Sequence, residues 1–557
     1  MKTTGYHPGM ILLMLLLLLS GTVHADPQPS YTGTWEGKFM GDFRTTIQIL
    51  SADNGLTGTI KMYSGPQLIQ DDPITDIAVE GKQLTFQIPA KETSFIGEFD
   101  EEVTLLKGKF IFPDGSEHPL EVQKNSGEAN GFGSGEALYS ESRERRFSAD
   151  ALREDLQVLL KALEENHPRL YSYTSKEKMT AACEGILAEI DGSMSLEEYF
   201  RLIAPLVGLV GCSHTGIRYP AEYASLLAAQ GGYFPLEVRC HQGCIYYMSA
   251  AVPPPSGISP GTEISRINGL PATEVIDRIT ELVPTEGFNP SAAYYQLNRD
   301  FQELYRILDP SELFEIEFKT PDGLRKEVLH ACKLQDFGHE KLEDPGEVPV
   351  SFRLVDQGYT GILKVPAFEI RNMEAYMEEL NRIFSQLQEE HTGKLILDLR
   401  GNPGGHPIFA AQLLSYLVDE DFTYFKRNPE ATEFEPLYGP MHPDPLHFSG
   451  KLYVLVDGGC LSTTGHLISL IKYHTDALFI GEEPGSTFRC NDFSTQVILP
   501  HTGIEANIPR MTFETAVKGF QEGIPFPLDY PVQFSISDIV NGIDSMMVLG
   551  QELAVIL

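Results

Sequence analysis

The sequence predicts a multidomain α+β protein: a small N-terminal β-barrel or sandwich, a helical segment, a second β region and a C-terminal α/β region. Three observations predict it. Residues 31–125 alternate apolar and polar side chains at the two-residue period of half-buried strands. Residues 146–222 repeat leucines at helical spacing. Beyond residue 350, short apolar runs alternate with helical stretches, the pattern of a mostly parallel sheet covered by helices. The composition fits: 557 residues exceed one core, and 42% hydrophobic with 22% charged residues is ordinary for globular proteins. Disordered, collagen-like and coiled-coil readings are excluded.

Charge and cysteine usage narrow the function classes. The formal net charge of -36 argues against nucleic acid or an anionic membrane face as partner. Seven cysteines cannot form a dense disulfide scaffold, and an odd number leaves at least one thiol unpaired.

Residues 10–19 read MILLMLLLLL, preceded by Lys2 and followed by the small-residue exit Val23-His24-Ala25. That pattern predicts a cleavable secretory signal over residues 1–25, cut after Ala25, and so a secreted or periplasmic protein. No later run reaches the roughly 18 apolar residues of a spanning helix, so no membrane insertion is expected after cleavage. In the β-rich domain, 26–125, Ile47 and Ile49 alternate with polar neighbours, as do Leu56, Ile60 and Met62 after Asn54-Gly55. Residues 126–145 are Gly-, Ser- and Glu-rich, a linker. The helical domain, 146–222, opens at Ser148 as N-cap, with Leu152, Leu156, Leu159 and Leu163 on one face. A second helix runs near 177–190, and a third starts at Ser195.

Residues 223–340 return to strands. Thr262-Glu263-Ile264-Ser265-Arg266-Ile267-Asn268-Gly269 reads as a strand ending in an Asn-Gly turn, with a helix from Ala272. This resembles the core of a PDZ module, a fold that binds peptides by adding a strand to a sheet edge. Its Cys240-His241-x-x-Cys244 stretch lacks the second pair that a zinc site needs, so a hairpin disulfide or free thiols is expected there and no metal.

In the last region, 350–557, two turns carry candidate chemistry. Ser462 follows a buried strand and two glycines and opens a helix. A hydroxyl there sits beside unpaired amides and the positive end of the helix dipole, the donors an oxyanion needs when an acyl group is attacked. The Thr463 amide is one such donor; an ordinary N-cap is the alternative use of the serine. The stretch Asp398-Leu399-Arg400-Gly401-Asn402-Pro403-Gly404-Gly405 ends in a glycine pair whose amides can point into a cleft. It is neither a P-loop nor a dinucleotide fingerprint.

Together these segments resemble the tail-specific, or C-terminal-processing, serine peptidases. That family carries an Asp-Leu-Arg-x-Asn-x-Gly-Gly turn, matched by Asp398 to Gly405. About sixty residues later it has a strand, a turn and Ser-Ala-Ala/Ser-Glu, here Ser462-Thr463-Thr464-Gly465. The later Ile480-Gly481-Glu482 also matches. The resemblance implies a crotonase- or ClpP-like α/β catalytic domain and hydrolysis of peptide bonds. It implies Ser462 as nucleophile, Thr463 with Gly404 or Gly405 as the oxyanion hole, no cofactor, and peptide or protein substrates. One branch activates its serine with a lysine about 25 residues on; Thr487 stands there. The histidine-using, tricorn-like branch carries a Ser-His pair upstream, matched by Gly211-Cys212-Ser213-His214-Thr215. The resemblance therefore implies His214 as base, Ser213 orienting a partner, and Glu522 as the nearest match to a late orienting acid. His466, His406 and His474 compete as bases, and Cys460 and Cys212 flank the candidates. Gly465 replaces the family glutamate. An inactive peptide-binding protein on this scaffold and an esterase are the alternative functions.

Overall fold

A computed structural model describes residues 31–556, apart from 40–42, 53–54, 65–66, 92, 101–102, 114–115, 125–144, 254–255, 288, 338–349, 370–371, 430 and 526. The expected signal, 1–25, and nearly all of the expected linker, 126–145, lie outside the described residues. The chain divides into two compact units, Met1–Phe132 and Gly133–Leu557.

The first unit is a closed antiparallel barrel of eight strands: β1 Gly33–Phe39, β2 Phe43–Ala52, β3 Gly55–Ser64, β4 Gln67–Glu80, β5 Gln83–Ile88, β6 Thr93–Phe99, β7 Leu105–Ile111 and β8 Glu117–Lys124. Each strand pairs with the next, and β1 closes on β8 with Trp35 opposite Lys124 and Phe39 opposite Leu120. Closure leaves no strand edge open. The alternation read in the sequence turns Trp35, Ile47, Ile60, Phe86, Phe95 and Phe110 inward, all essentially buried. The Phe86 and Phe95 rings stack at 4.8 Å. Of the two architectures the periodicity allowed, the barrel is the one formed.

The second unit begins with α1 Ala149–Asn166, α2 Lys176–Glu189 and α3 Leu196–Gly208. Ser148 caps α1 by accepting from the Ala151 amide, and a reciprocal Ser195–Glu198 capping box opens α3. A short strand, β9 Gly216–Arg218, and α4 Ala221–Gln230 follow. Next comes an antiparallel sheet in the order β10 Leu236–His241, β11 Cys244–Ala250, β12 Glu263–Ile267, β14 Leu313–Thr320 and β15 Gly323–His330, with β13 Leu270–Pro271 beside β12. Helices α5 Ala272–Thr280, α6 Pro290–Arg299 and α7 Phe301–Leu308 come between β13 and β14. The strand, Asn-Gly turn and helix expected over 263–280 are all formed, with Asn268 at φ 48° and Gly269 at φ 80°.

The last part holds a sheet ordered β16 Ser351–Val355, β17 Thr360–Lys364, β18 Lys394–Asp398, β19 Lys451–Val456, β20 Leu478–Gly481 and β25 Tyr530–Pro531, parallel from β17 onward. Helix α8 Met373–Glu389 links β17 to β18, α9 Pro407–Ser415 follows β18, and α10 Thr463–His474 joins β19 to β20. Two antiparallel pairings lie outside this sheet. Strand β21 Arg489–Asp492 pairs with β24 Met511–Glu514, and β22 Thr495–Ile498 pairs with β23 Glu505–Ile508. Helices α11 Ile536–Val540 and α12 Ser545–Ile556 end the chain. Leu395, Leu397, Val454, Val456, Leu467 and Ile471 are buried in one core. Their strands, covered on both faces, read as unbroken apolar runs for that reason.

Strand β23 pairs on its far side with β9, and Leu499, Ile504 and Ile508 complete the core of the leucine-lined helices. The 495–508 hairpin thus packs with the helical segment rather than with the parallel sheet.

Candidate active site

The residues singled out in the sequence converge where β18 and β19 end. The turn after β18 is braced by its own side chains. Arg400 donates to both carboxylate oxygens of Asp398, at 2.8 and 2.7 Å, and also pairs with Asp544. Asn402 donates to the Val365 carbonyl at 2.9 Å, and its side-chain oxygen accepts from the Thr464 hydroxyl at 2.7 Å. One oxygen of Asp457 accepts the amides of Gly401 and Gly459, both at 2.9 Å, joining the two turns. Asp398, Arg400 and Asn402 therefore act as framework.

Ser462 is the N-cap residue immediately before α10, with φ 50° and ψ -123°, a conformation a non-glycine residue adopts at a cost of about 1–3 kcal/mol. Its side chain makes no cap bond to the helix amides. Its own amide donates to Ser486 Oγ at 2.9 Å. The strained turn aims Oγ away from the helix, towards the ring of His214, whose Nε2 lies 3.1 Å away. These two residues are 248 positions apart in sequence. His214 is held from both sides of its loop: β9 follows it and pairs with β23, and Asn507 Nδ2 donates to the His214 carbonyl at 2.7 Å.

Behind the ring, Ser213 Oγ lies 3.2 Å from His214 Nδ1 and donates to Glu286 Oε2 at 3.2 Å. A serine hydroxyl has one proton. Given to Glu286, it leaves a lone pair that accepts Nδ1–H of His214, and Nε2 is then the bare nitrogen facing Ser462. Glu286 is 2% exposed and also accepts from the Tyr173 hydroxyl at 3.5 Å. Burial pushes its carboxyl up to about 7, while the hydrogen bonds from Ser213 and Tyr173 oppose the shift. Asp492 lies 3.8 Å from His214 Nε2, placed to pair with the ring once it carries a second proton.

The sequence missed Glu286 and pointed to Glu522 for this contact. Glu522 instead pairs its two oxygens with Arg169 and Arg489. Those two guanidiniums occupy both oxygens, so the acid on Ser213 is Glu286. The loop carrying it is tied to the Ser-His loop by the Gly287 amide, which donates to the Gly211 carbonyl at 2.9 Å. Nothing in the flanking sequence marks that glutamate.

The amide donors divide. Gly404 N–H donates to Asn402 Oδ1 at 2.9 Å, so it is engaged in bracing the turn and does not serve as a free donor. Gly405 sits at φ 129°, where an added Cβ would meet the Phe368 carbonyl at 2.4 Å; only glycine fits. The Thr463 hydroxyl donates to the Gly405 carbonyl at 2.5 Å, fixing the two neighbours together. The amides of Thr463 and Gly405, which make no hydrogen bond among the described residues, remain beside Ser462.

The competing histidines are otherwise engaged. His466 turns its ring to Cys490 Sγ at 3.3 Å and edge-on to Phe425, and burial pushes it down to about 3. His406 accepts the amide of Ile408 as cap of α9, and His474 lies 3.1 Å from Glu420. Cys460 donates to the Leu399 carbonyl, and burial raises its thiol and that of Cys212, the latter to about 12. Neither forms a thiolate nucleophile. All seven cysteines are free, including Cys240 and Cys244 on the β10–β11 hairpin. Among the described residues no cluster suited to a metal ion occurs, and no helix is long and apolar enough to cross a membrane. Gly465 has a packing reason: an added Cβ would meet Ser486 at 2.6 Å, leaving no room for a glutamate.

Residues 359–524 match the model of peptidase family S41. Among solved structures, mature CPAF complexed with lactacystin is similar at 16% identity with a TM-score of 0.54, over 73% of this chain and 98% of its own. Mature CPAF without that compound is similar at 16% identity and a TM-score of 0.52, over 71% and 95%. At this identity the likeness shows a shared fold. The search of curated proteins found no match.

Proposed function

We propose that this chain, whose residues 359–524 match the model of peptidase family S41, is a serine-type peptidase that acts on peptide or protein substrates through an acyl-enzyme mechanism run by Ser462 and His214. The carrying observation is the 3.1 Å approach of His214 Nε2 to Ser462 Oγ. Ser462 Oγ attacks the scissile carbonyl while its proton passes to Nε2. Ser213 and Glu286 hold the ring in the accepting tautomer and stabilise the imidazolium, assisted by Asp492 at 3.8 Å. The tetrahedral oxyanion is held by the amides of Thr463 and Gly405 at the positive end of α10. His214 returns the proton to the leaving amine, and water, activated by the same ring, releases the acid. No cofactor enters the scheme.

The reading includes export: residues 1–25 act as a signal removed after Ala25, delivering the peptidase outside the cytoplasm. N-terminal sequencing of the mature protein checks the cut.

A fluorophosphonate probe tests the mechanism. The native chain is expected to label, and Ser462→Ala to lose labelling completely. Absence of labelling over a wide pH range counts against the hydrolase and supports the inactive peptide-binding alternative. Comparing matched peptide and ester substrates separates a peptidase from an esterase.

A further inference from the structure

A cavity of about 550 Å³ opens outside the carboxyl ends of the parallel strands, the position where open α/β sheets take ligands. Its size falls within the range of small-molecule sites. One wall is the β10–β11 hairpin from Arg239 to Gly243; another is α6, with Tyr294 and Tyr295. Lys364 closes β17, Glu482 follows β20, and Phe534 comes from the stretch after β25. Neither Ser462, His214 nor Gly405 lines it; the turn that leads to Ser462 reaches it only through Asp457, and the neighbouring turn through Arg400 and Gly401.

Opposite charges face each other here without closing into salt bridges: Glu482 feels the attraction of Arg239, and Asp544, outside the lining, feels that of Lys364. Arg400 and Asp457, also in its wall, are consumed by the turn framework. Arg239, Lys364 and Glu482 make no salt bridge among the described residues, and Arg239 Nε is buried with no hydrogen-bond partner. A buried polar nitrogen left without an acceptor is costly, and a carboxylate entering the cavity would supply one. Two cations and one carboxylate face one space flanked by tyrosines. That arrangement matches a ligand with an acidic group or two and one ammonium.

The geometry points to this cavity as a binding site, separate from the reacting groove, for a small zwitterion of the amino-acid or dipeptide class. Arg239 and Lys364 take its carboxylates, and Glu482 takes its ammonium. Solvent-facing Lys364 guards the entrance, and the tyrosines cover the ligand's apolar stem.

Isothermal titration of the full chain carrying Ser462→Ala, with glycylglutamate as probe, tests the site without turnover. Saturable binding is expected, with acetate and ethylamine, each bearing one charge, at least about tenfold weaker. Arg239→Gln and Glu482→Gln are each expected to weaken glycylglutamate about tenfold or more. Lys364→Gln, at an exposed position, gives the same direction without a question of folding. Wild-type protein blocked at Ser462 by a fluorophosphonate is expected to bind equally well. Absence of saturable binding overturns the inference. So does binding indifferent to Arg239→Gln and Lys364→Gln, or binding lost on blocking Ser462, which would place the ligand in the reacting groove.

Discussion

Strands β18 and β19 lie side by side in one parallel sheet, end in glycine-bearing turns and each lead into a helix, yet their helix starts use their side chains in opposite ways. His406 opens α9 with φ -73° and turns its ring back to accept the Ile408 amide. Ser462 opens α10 with φ 50° and makes no such bond. The first start is relaxed and inward-looking. The second is strained, and its hydroxyl is left for a partner from elsewhere. Of two neighbouring turns of one sheet, one thus spends its side chain on its own helix and the other presents it to a residue from elsewhere, and the backbone angle at one residue makes the difference.

The largest expected effect breaks the reactive turn alone. Ser462→Ala should lower peptide hydrolysis by at least about 10³-fold, while leaving the thermal unfolding midpoint within a few degrees. His406→Ala doing comparable damage to turnover would erase the contrast. His214→Ala should cost about 10³–10⁴-fold in kcat, whereas His466→Ala, a residue four positions past the serine, should stay within about tenfold. The reverse ranking would move the base onto α10.

Glu286→Gln sharpens the comparison by removing support from behind the ring. We expect a drop of about 10–100-fold in kcat with little change in KM, as for groups that orient rather than touch substrate. The same variant has a pH signature. Burial, the dominant cause, lifts the Glu286 carboxyl from 4.5 to about 7. Between those values the folded chain holds a proton that the unfolded chain has released. Its contribution to stability is present in full below about 4.5 and is lost as pH rises through about 7. Urea midpoints of wild type and Glu286→Gln at pH 5 and pH 8 should diverge in that sense; parallel profiles would remove the buried acid from the account. The smallest effect belongs to the relaxed turn. His406→Ala should cost roughly 0.5–1 kcal/mol of stability for the lost cap, with kcat/KM within about twofold.

Much of this arrangement is legible in the sequence because it is local. The strand–turn–helix character of both turns follows from apolar runs meeting glycines, and Ser462 with His214 follows from the motifs around them. The missing parts are contacts between distant segments or between a side chain and its own turn. Glu286 lies in a loop between α5 and α6 with no marking pattern, and becomes visible only when Gly287 binds Gly211. The engagement of the Gly404 amide depends on the Asn402 rotamer, which no residue spacing records. Barrel closure is equally non-local: alternation orients every strand of the first unit, but the pairing of β1 with β8 is set by geometry along the whole sheet.

The pairing of β9 with β23 joins residues 216–218 to residues 505–507. A ribosome releases the first of these long before the second. Until then the loop carrying His214 has no hairpin to fix it, and the contact between its imidazole and Ser462 has no frame to hold it. Only after residues 505–507 have been made can the two segments pair, so this contact is among the last that the growing chain can form.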